Sequence, residues 1–93
     1  MDGAMAEFEV LDLSAKDRVR SILNEHGRLG REIADLADAD DLYEAGMTSL
    51  ASVNVMLALE AQFEIEFPDH MLNRAVFSSV DAIAAAVERI RAS

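Results

Sequence analysis

The sequence predicts an all-α fold: four helices of unequal length, a long link between the first and second, and a short third helix. Three observations carry that prediction. The hydrophobic fraction is 52% while aromatics make up only 5%, and the β-branched and aromatic residues do not fall in the alternating runs that strands require. Apolar residues recur instead at three- and four-residue spacings in separate stretches. Between the first two of these lie about twenty residues rich in Asp and Gly with no sustained period, a long connection for a small domain. At 93 residues the chain is sized for one domain with one modest core, read here as a leader over 1–13 and a folded domain over 14–93.

The leader carries no clear period, and its Phe8 and Leu11 are expected to pack lightly on the body. Ser14 followed by Asp17 resembles a capping box, Val19, Ile22 and Leu23 supply the apolar face, and Gly27 is a natural stop, which predicts a first helix over 15–26. Its other face, with Lys16, Arg18 and Arg20, reads as solvated. The link over 28–48 has Ile33, Leu36, Leu42 and Tyr43 to tie it down, since loops of this length are functional or packed by their own side chains.

The second helix, 49–63, is the most strongly predicted. Leu50, Val53, Leu57 and the 60–63 turn mark one stripe, and Val55, Met56 and Leu59 widen it beyond an amphipathic face, so some apolar surface is expected to stay exposed near Val53 and Met56. Phe67-Pro68-Asp69 opens a short third helix over 68–73 with Met71 and Leu72 facing inward. Ser78 or Ser79 caps a last helix to about Arg91, with Val80, Ile83, Val87 and Ile90 at spacings of three, four and three. Contacts in such a bundle are mostly local, which favours fast folding.

Eighteen acidic residues against eight basic ones give a net charge of −10. That surface repels nucleic acid and anionic membranes and attracts basic patches on partner proteins. No cysteine is present, so disulfides and thiolate metal sites are excluded and any thiol chemistry has to come from a cofactor. The N-terminus lacks the basic and apolar regions of a signal peptide, and no stretch reaches the ~18–20 apolar residues that span a bilayer. The expected location is cytoplasmic. Asp38, Asp40 and Asp41 suggest calcium, but the EF-hand pattern fails, with Leu42 at the fifth position, Tyr43 at the sixth and Ser49 at the twelfth. Neither His26 nor His70 has a second ligand at metal spacing.

Gly46-Met47-Thr48-Ser49-Leu50 is where loop becomes helix. A hydroxyl at that junction lies beside unpaired backbone N–H groups at the positive end of a helix dipole, which favours a covalently attached phosphate at Ser49. The other reading of the pair is that Thr48 or Ser49 simply caps the helix. No His or Lys stands nearby in sequence to activate the serine as a nucleophile, so Ser49 reads as acted upon and the chain as a non-enzyme.

Asp41-Leu42-Tyr43-Glu44-Ala45-Gly46, Ser49-Leu50, the run Val55-Met56-Leu57-Ala58-Leu59-Glu60, Phe63 and Phe67-Pro68-Asp69 together resemble the acyl carrier protein family, from about Val19 to Ile90. The resemblance implies a four-helix bundle of the acyl-carrier type. It also implies that Ser49 accepts 4′-phosphopantetheine from coenzyme A through a separate magnesium-dependent phosphopantetheinyl transferase, the arm's thiol then holding an acyl or aminoacyl group as a thioester. A monomer that meets its partner enzymes around the start of the second helix is implied too, through Met47, Thr48, Leu50, Val53, Asn54, Met56 and Glu60.

Two departures qualify the match. Thr48 stands where the family usually has Asp, which removes a charge that helps to position the transferase or its metal. The dense acidic face of fatty-acid carriers is thinned by Ala51, Asn54, Ala61 and Gln62, leaving Glu60 and Glu64. With the stretches Phe63–Asp69 and Leu72–Phe77, the chain is similar to stand-alone bacterial carriers charged with small amino acids by truncated seryl-tRNA-synthetase-like amino acid:carrier protein ligases. The alternatives are a fatty-acid or polyketide carrier loaded by an acyl transferase, and an unmodified helical adaptor that binds through Val53 and Met56.

Overall fold

The computed structural model describes residues 15–92; the leader, the Ser14 cap and the packing of Phe8 and Leu11 lie outside the described residues. All regular structure among the described residues is helical. α1 runs over 15–26, α2 is Ser49–Phe63 and α3 is Val80–Ala92, with single 3-10 turns at Ile33–Asp35 and Asp69–Met71.

The core draws one face from each helix. α1 gives Val19, Ile22 and Leu23, α2 gives Ala51, Val55, Leu59 and Phe63, and α3 gives Val80, Ile83, Ala86 and Val87. α1 stops at Gly27, whose N–H donates to the Leu23 carbonyl at 2.8 Å. A β-carbon on Gly27 would stand 2.7 Å from that same oxygen, so the close approach needs glycine, and the left-handed turn falls on Arg28 at φ 51°. α3 begins at the second of the two candidate caps: Ser79 Oγ accepts the Ala82 N–H at 3.0 Å.

Leu36 and Leu42 fasten the long link to the core, with Ile33 and Tyr43 packed partly against it, as the sequence predicts; Ala45 and Met47 are buried as well. Backbone hydrogen bonds join the link to the start of α3, from Leu42 N–H to the Ser78 carbonyl (2.7 Å) and from Asp81 N–H to the Asp38 carbonyl (2.9 Å).

The face of α1 expected to be solvated is instead engaged. Arg20 donates to the carbonyls of Ile33 (2.8 Å) and Leu36 (2.7 Å) and to Asp38 Oδ1 (2.7 Å). Lys16 pairs with Asp81 at 2.8 Å and Asp38 at 3.4 Å. Arg18 lies 4.1 Å from the Phe63 ring centroid and donates to the Gln62 carbonyl. A guanidinium with five donors can satisfy loop carbonyls that no helix or strand uses, which is why Arg20 is drawn over the link. The Arg20 hydrogen bond, reinforced by Lys16, holds the Asp38 carboxyl below its ordinary range.

Of the predicted third helix only a 3-10 turn forms. Asn73 accounts for this: its side chain donates to the His70 carbonyl (3.1 Å) and accepts the Val76 N–H (3.1 Å), so it closes one turn and starts another. Met71 is buried, whereas Leu72, predicted inward, is 46% exposed. Past α2, Glu64 takes a left-handed conformation at φ 56° and the Glu60 carboxylate accepts the Phe67 N–H at 2.9 Å, seating Phe67 against Phe77 with ring centroids 5.3 Å apart.

Candidate functional site

The site is built by the last turn of the link. Gly46 has φ 120°, and a β-carbon there would come within 2.9 Å of the Gly30 nitrogen, so only glycine lets the chain double back against Leu29–Gly30. Gly30 N–H then donates to the Ala45 carbonyl (3.1 Å) and Met47 N–H to that of Leu42 (3.0 Å). Met47 drops into the core at 3% exposure. This corrects its expected place on the contact surface: Met47 anchors the turn from inside and leaves Thr48 and Ser49 exposed beyond it.

The two hydroxyls part company there. Thr48 is extended (φ −86°, ψ 168°) and its Oγ1 accepts the Ala51 N–H at 3.0 Å, so Thr48 is the cap. Ser49 is the first helical residue, and its hydroxyl makes no hydrogen bond among the described residues. The Ser49 and Leu50 N–H groups also lack acceptors among them, and the first turn of α2 holds no acidic residue. An exposed hydroxyl thus stands at an unneutralised helix N-terminus, where a phosphoryl group would meet both N–H donors and the dipole.

Beside Ser49 opens a groove of about 360 Å³, its walls including Tyr43, Val53, Met56, Arg74 and Phe77. The Arg74 guanidinium carbon lies over the Tyr43 ring, 4.0 Å from its centroid. Among the described residues no His, Lys, Asp or Glu lines the groove, and there is no cluster of three or more metal-ligating side chains.

Of the other predicted contact residues, Leu50 is 73% and Val53 47% exposed, Asn54 is exposed and Met56 half-buried. Leu57, at 53%, joins them. Leu50, Val53 and Leu57 therefore form an outward apolar strip, in keeping with the exposed apolar surface expected near Val53 and Met56. Glu60 is half-buried and committed to the Phe67 N–H. Sequence reasoning missed Tyr43 and Arg74 at the groove; thirty-odd residues apart, they meet only through the fold.

Among the described residues the fold thus presents an exposed serine hydroxyl at the start of a helix. The family profile of the phosphopantetheine attachment site matches residues 17–87. The aminoacyl carrier protein of Agrobacterium fabrum is 47% identical over 72 residues, 77% of this chain and 87% of that protein. The D-alanyl carrier protein of Leuconostoc citreum is 33% identical over 79 residues, 84% of this chain and 97% of that one. In the crystal structure of an engineered Bradyrhizobium japonicum glycine:carrier protein ligase complexed with carrier protein from Agrobacterium tumefaciens and AMP, one chain superposes at TM-score 0.77 and 45% identity, covering 78% of this chain and 97% of that one. The chain belongs to the phosphopantetheine-attachment family.

The family's group is 4′-phosphopantetheine, covalently bound to a serine. Ser49 fits it: the hydroxyl is exposed, the capping duty falls on Thr48, and the Ser49 and Leu50 N–H groups lack acceptors among the described residues. No helix among the described residues is long and apolar enough to cross a membrane.

Proposed function

We propose that this chain carries a small amino acid as a thioester on a 4′-phosphopantetheine arm attached to Ser49 and presents it to partner enzymes. The observation that carries this reading is the division of labour at the loop-helix junction, where Thr48 caps and Ser49 stays free and exposed. In the attachment step Ser49 Oγ bonds to the pantetheine-bearing phosphorus of coenzyme A, the anhydride bond breaks, and the nucleotide half leaves. The serine proton goes to a base of the separate transferase, because the groove offers none. When bound, the arm supplies the thiol that this cysteine-free chain lacks.

An aminoacyl cargo is supported by the aminoacyl and D-alanyl carrier relatives, by the ligase complex and by the thinned acidic face of α2. On this reading the chain is a substrate and not a catalyst, and acts as a cytoplasmic monomer. Leu50, Val53, Asn54 and Met56, with Thr48 beside them, meet the ligase. The folded domain over 14–93 bears the function and the leader over 1–13 does not.

Intact mass tests the first half. After incubation with coenzyme A, magnesium and a transferase, the wild type is expected to gain the mass of one phosphopantetheinyl group and Ser49→Ala none. Holo protein with candidate ligases, ATP and amino acids is then expected to gain one small aminoacyl group. Loading by malonyl or fatty acyl groups alone would overturn the cargo, and an adduct that persists in Ser49→Ala would overturn the site.

A further inference from the structure

We propose that Arg74 binds the phosphodiester at the root of the arm and so holds the arm over the groove beside Ser49. The inference rests on the reading of Ser49 as the attachment site and adds a second residue to it. Three observations support it. Among the described residues, Arg74 is the one charged residue lining the groove that Ser49 also lines. Its guanidinium carbon sits 4.0 Å from the centroid of the Tyr43 ring, a cation–π contact that holds the charge at the groove without supplying an oxygen acceptor for its N–H donors.

Those donors also have no oxygen acceptor among the described residues. In a chain with eighteen acidic residues, Lys16 and Arg20 each take carboxylates and Arg18 takes a carbonyl, yet the Arg74 side chain has no carboxylate or carbonyl partner among the described residues. A phosphodiester carries one negative charge at neutral pH and is joined directly to Ser49 Oγ, inside the groove that Arg74 edges. The Ser49 and Leu50 N–H groups, which lack acceptors among the described residues, would donate to that phosphate from the start of α2, and Arg74 would add its guanidinium. Beyond the phosphate the groove wall is apolar, with Val53, Met56 and Phe77, suited to the uncharged pantetheine chain.

The ordinary role for Arg74 is only to cover Tyr43, and that role is indifferent to the arm. NMR on the full chain separates the two. In the ¹⁵N-labelled wild type, the Arg74 Nε–Hε resonance, assigned by its loss in Arg74→Gln, is expected to shift and its solvent exchange to slow on going from apo to holo. The ³¹P resonance of the holo phosphodiester is expected to move and narrow in Arg74→Gln, with Arg74→Lys intermediate. Tyr43→Leu, which removes the shelf but keeps the charge, is expected to act in the same direction as Arg74→Gln. An Arg74 resonance unchanged between apo and holo wild type overturns the proposal without reliance on any variant, as does a ³¹P signal identical in wild type and Arg74→Gln. Should intact mass show no adduct on the wild type, the Ser49 reading falls and this proposal with it; an adduct with silent resonances removes Arg74 alone.

Discussion

Thr48 and Ser49 are adjacent hydroxyls, and either could accept an N–H three residues on, from Ala51 or from Ser52. Nothing in the sequence chooses between those offsets. The choice is made by Gly46 at φ 120° and by Met47 dropping into the core, which together set Thr48 extended and bring Ser49 into the helix. The junction was legible, with Ser49 expected as the attachment point; that Thr48 takes the capping duty was not. Thr48→Ala removes the acceptor for the Ala51 N–H and is expected to cost about 1 kcal/mol, about 4–8 °C in melting temperature for a domain of this size. Thr48→Asp keeps a comparable cap, adds a negative charge at the positive helix end, and is expected to melt at or slightly above the wild type. Equal melting of wild type and Thr48→Ala would mean that Thr48 is not the cap, and would return that duty to Ser49.

α2 teaches the same lesson one level up. Its existence and bounds follow from the sequence, but it is apolar nearly all the way round, so spacing alone cannot say which side faces in. The buried line is Ala51, Val55, Leu59 and Phe63, one residue every four, while Leu50, Val53 and Leu57 face out. α3 has a polar side, and there Val80, Ile83 and Val87 are buried as the spacing predicts. The third helix failed for a local reason, because the side chain of Asn73 competes for the backbone groups that a longer helix would need. Two leucines on one helix make the contrast measurable. Leu59, fully buried, is expected to cost about 2–5 kcal/mol on truncation to Ala. Leu57, 53% exposed, is expected to stay within about 0.5 kcal/mol and, on the proposed function, to weaken loading by the ligase instead. Denaturant unfolding of the two variants with an aminoacylation assay of each checks both halves, and a large stability loss in Leu57→Ala would return that face to the core.

Across the whole molecule, α1, the long link and the start of α3 are joined by a single charged cluster, Lys16, Arg20, Asp38 and Asp81. Its members do not contribute equally. Lys16 is half-exposed and its pairs are of the kind that add little. Arg20, with 24% of its side chain exposed, holds two link carbonyls and Asp38. Arg20→Ala leaves those carbonyls without their donor and is expected to cost about 1–3 kcal/mol, well beyond Lys16→Ala. The sign of the pH dependence follows from Asp38. Its carboxyl is held low, first by the Arg20 hydrogen bond and then by Lys16, so the unfolded chain takes up that proton before the folded one. The contribution is complete above the ordinary carboxylate value of about 4 and drains away as pH falls through that value toward the lower folded one. Lys16 is shifted upward, chiefly by Asp81, and its share is lost only as pH rises through that raised value. A chain at −10 also sheds self-repulsion on acidification, which acts in the opposite direction, so the raw melting curve mixes the two effects. The difference between wild type and Asp38→Asn isolates the cluster: the wild type is expected to melt higher from pH 7 down to about pH 5 and the gap to close below about pH 4. A gap that stays constant down to pH 3 would mean that Asp38 titrates normally and that Arg20 fastens the link through the carbonyls of Ile33 and Leu36 alone.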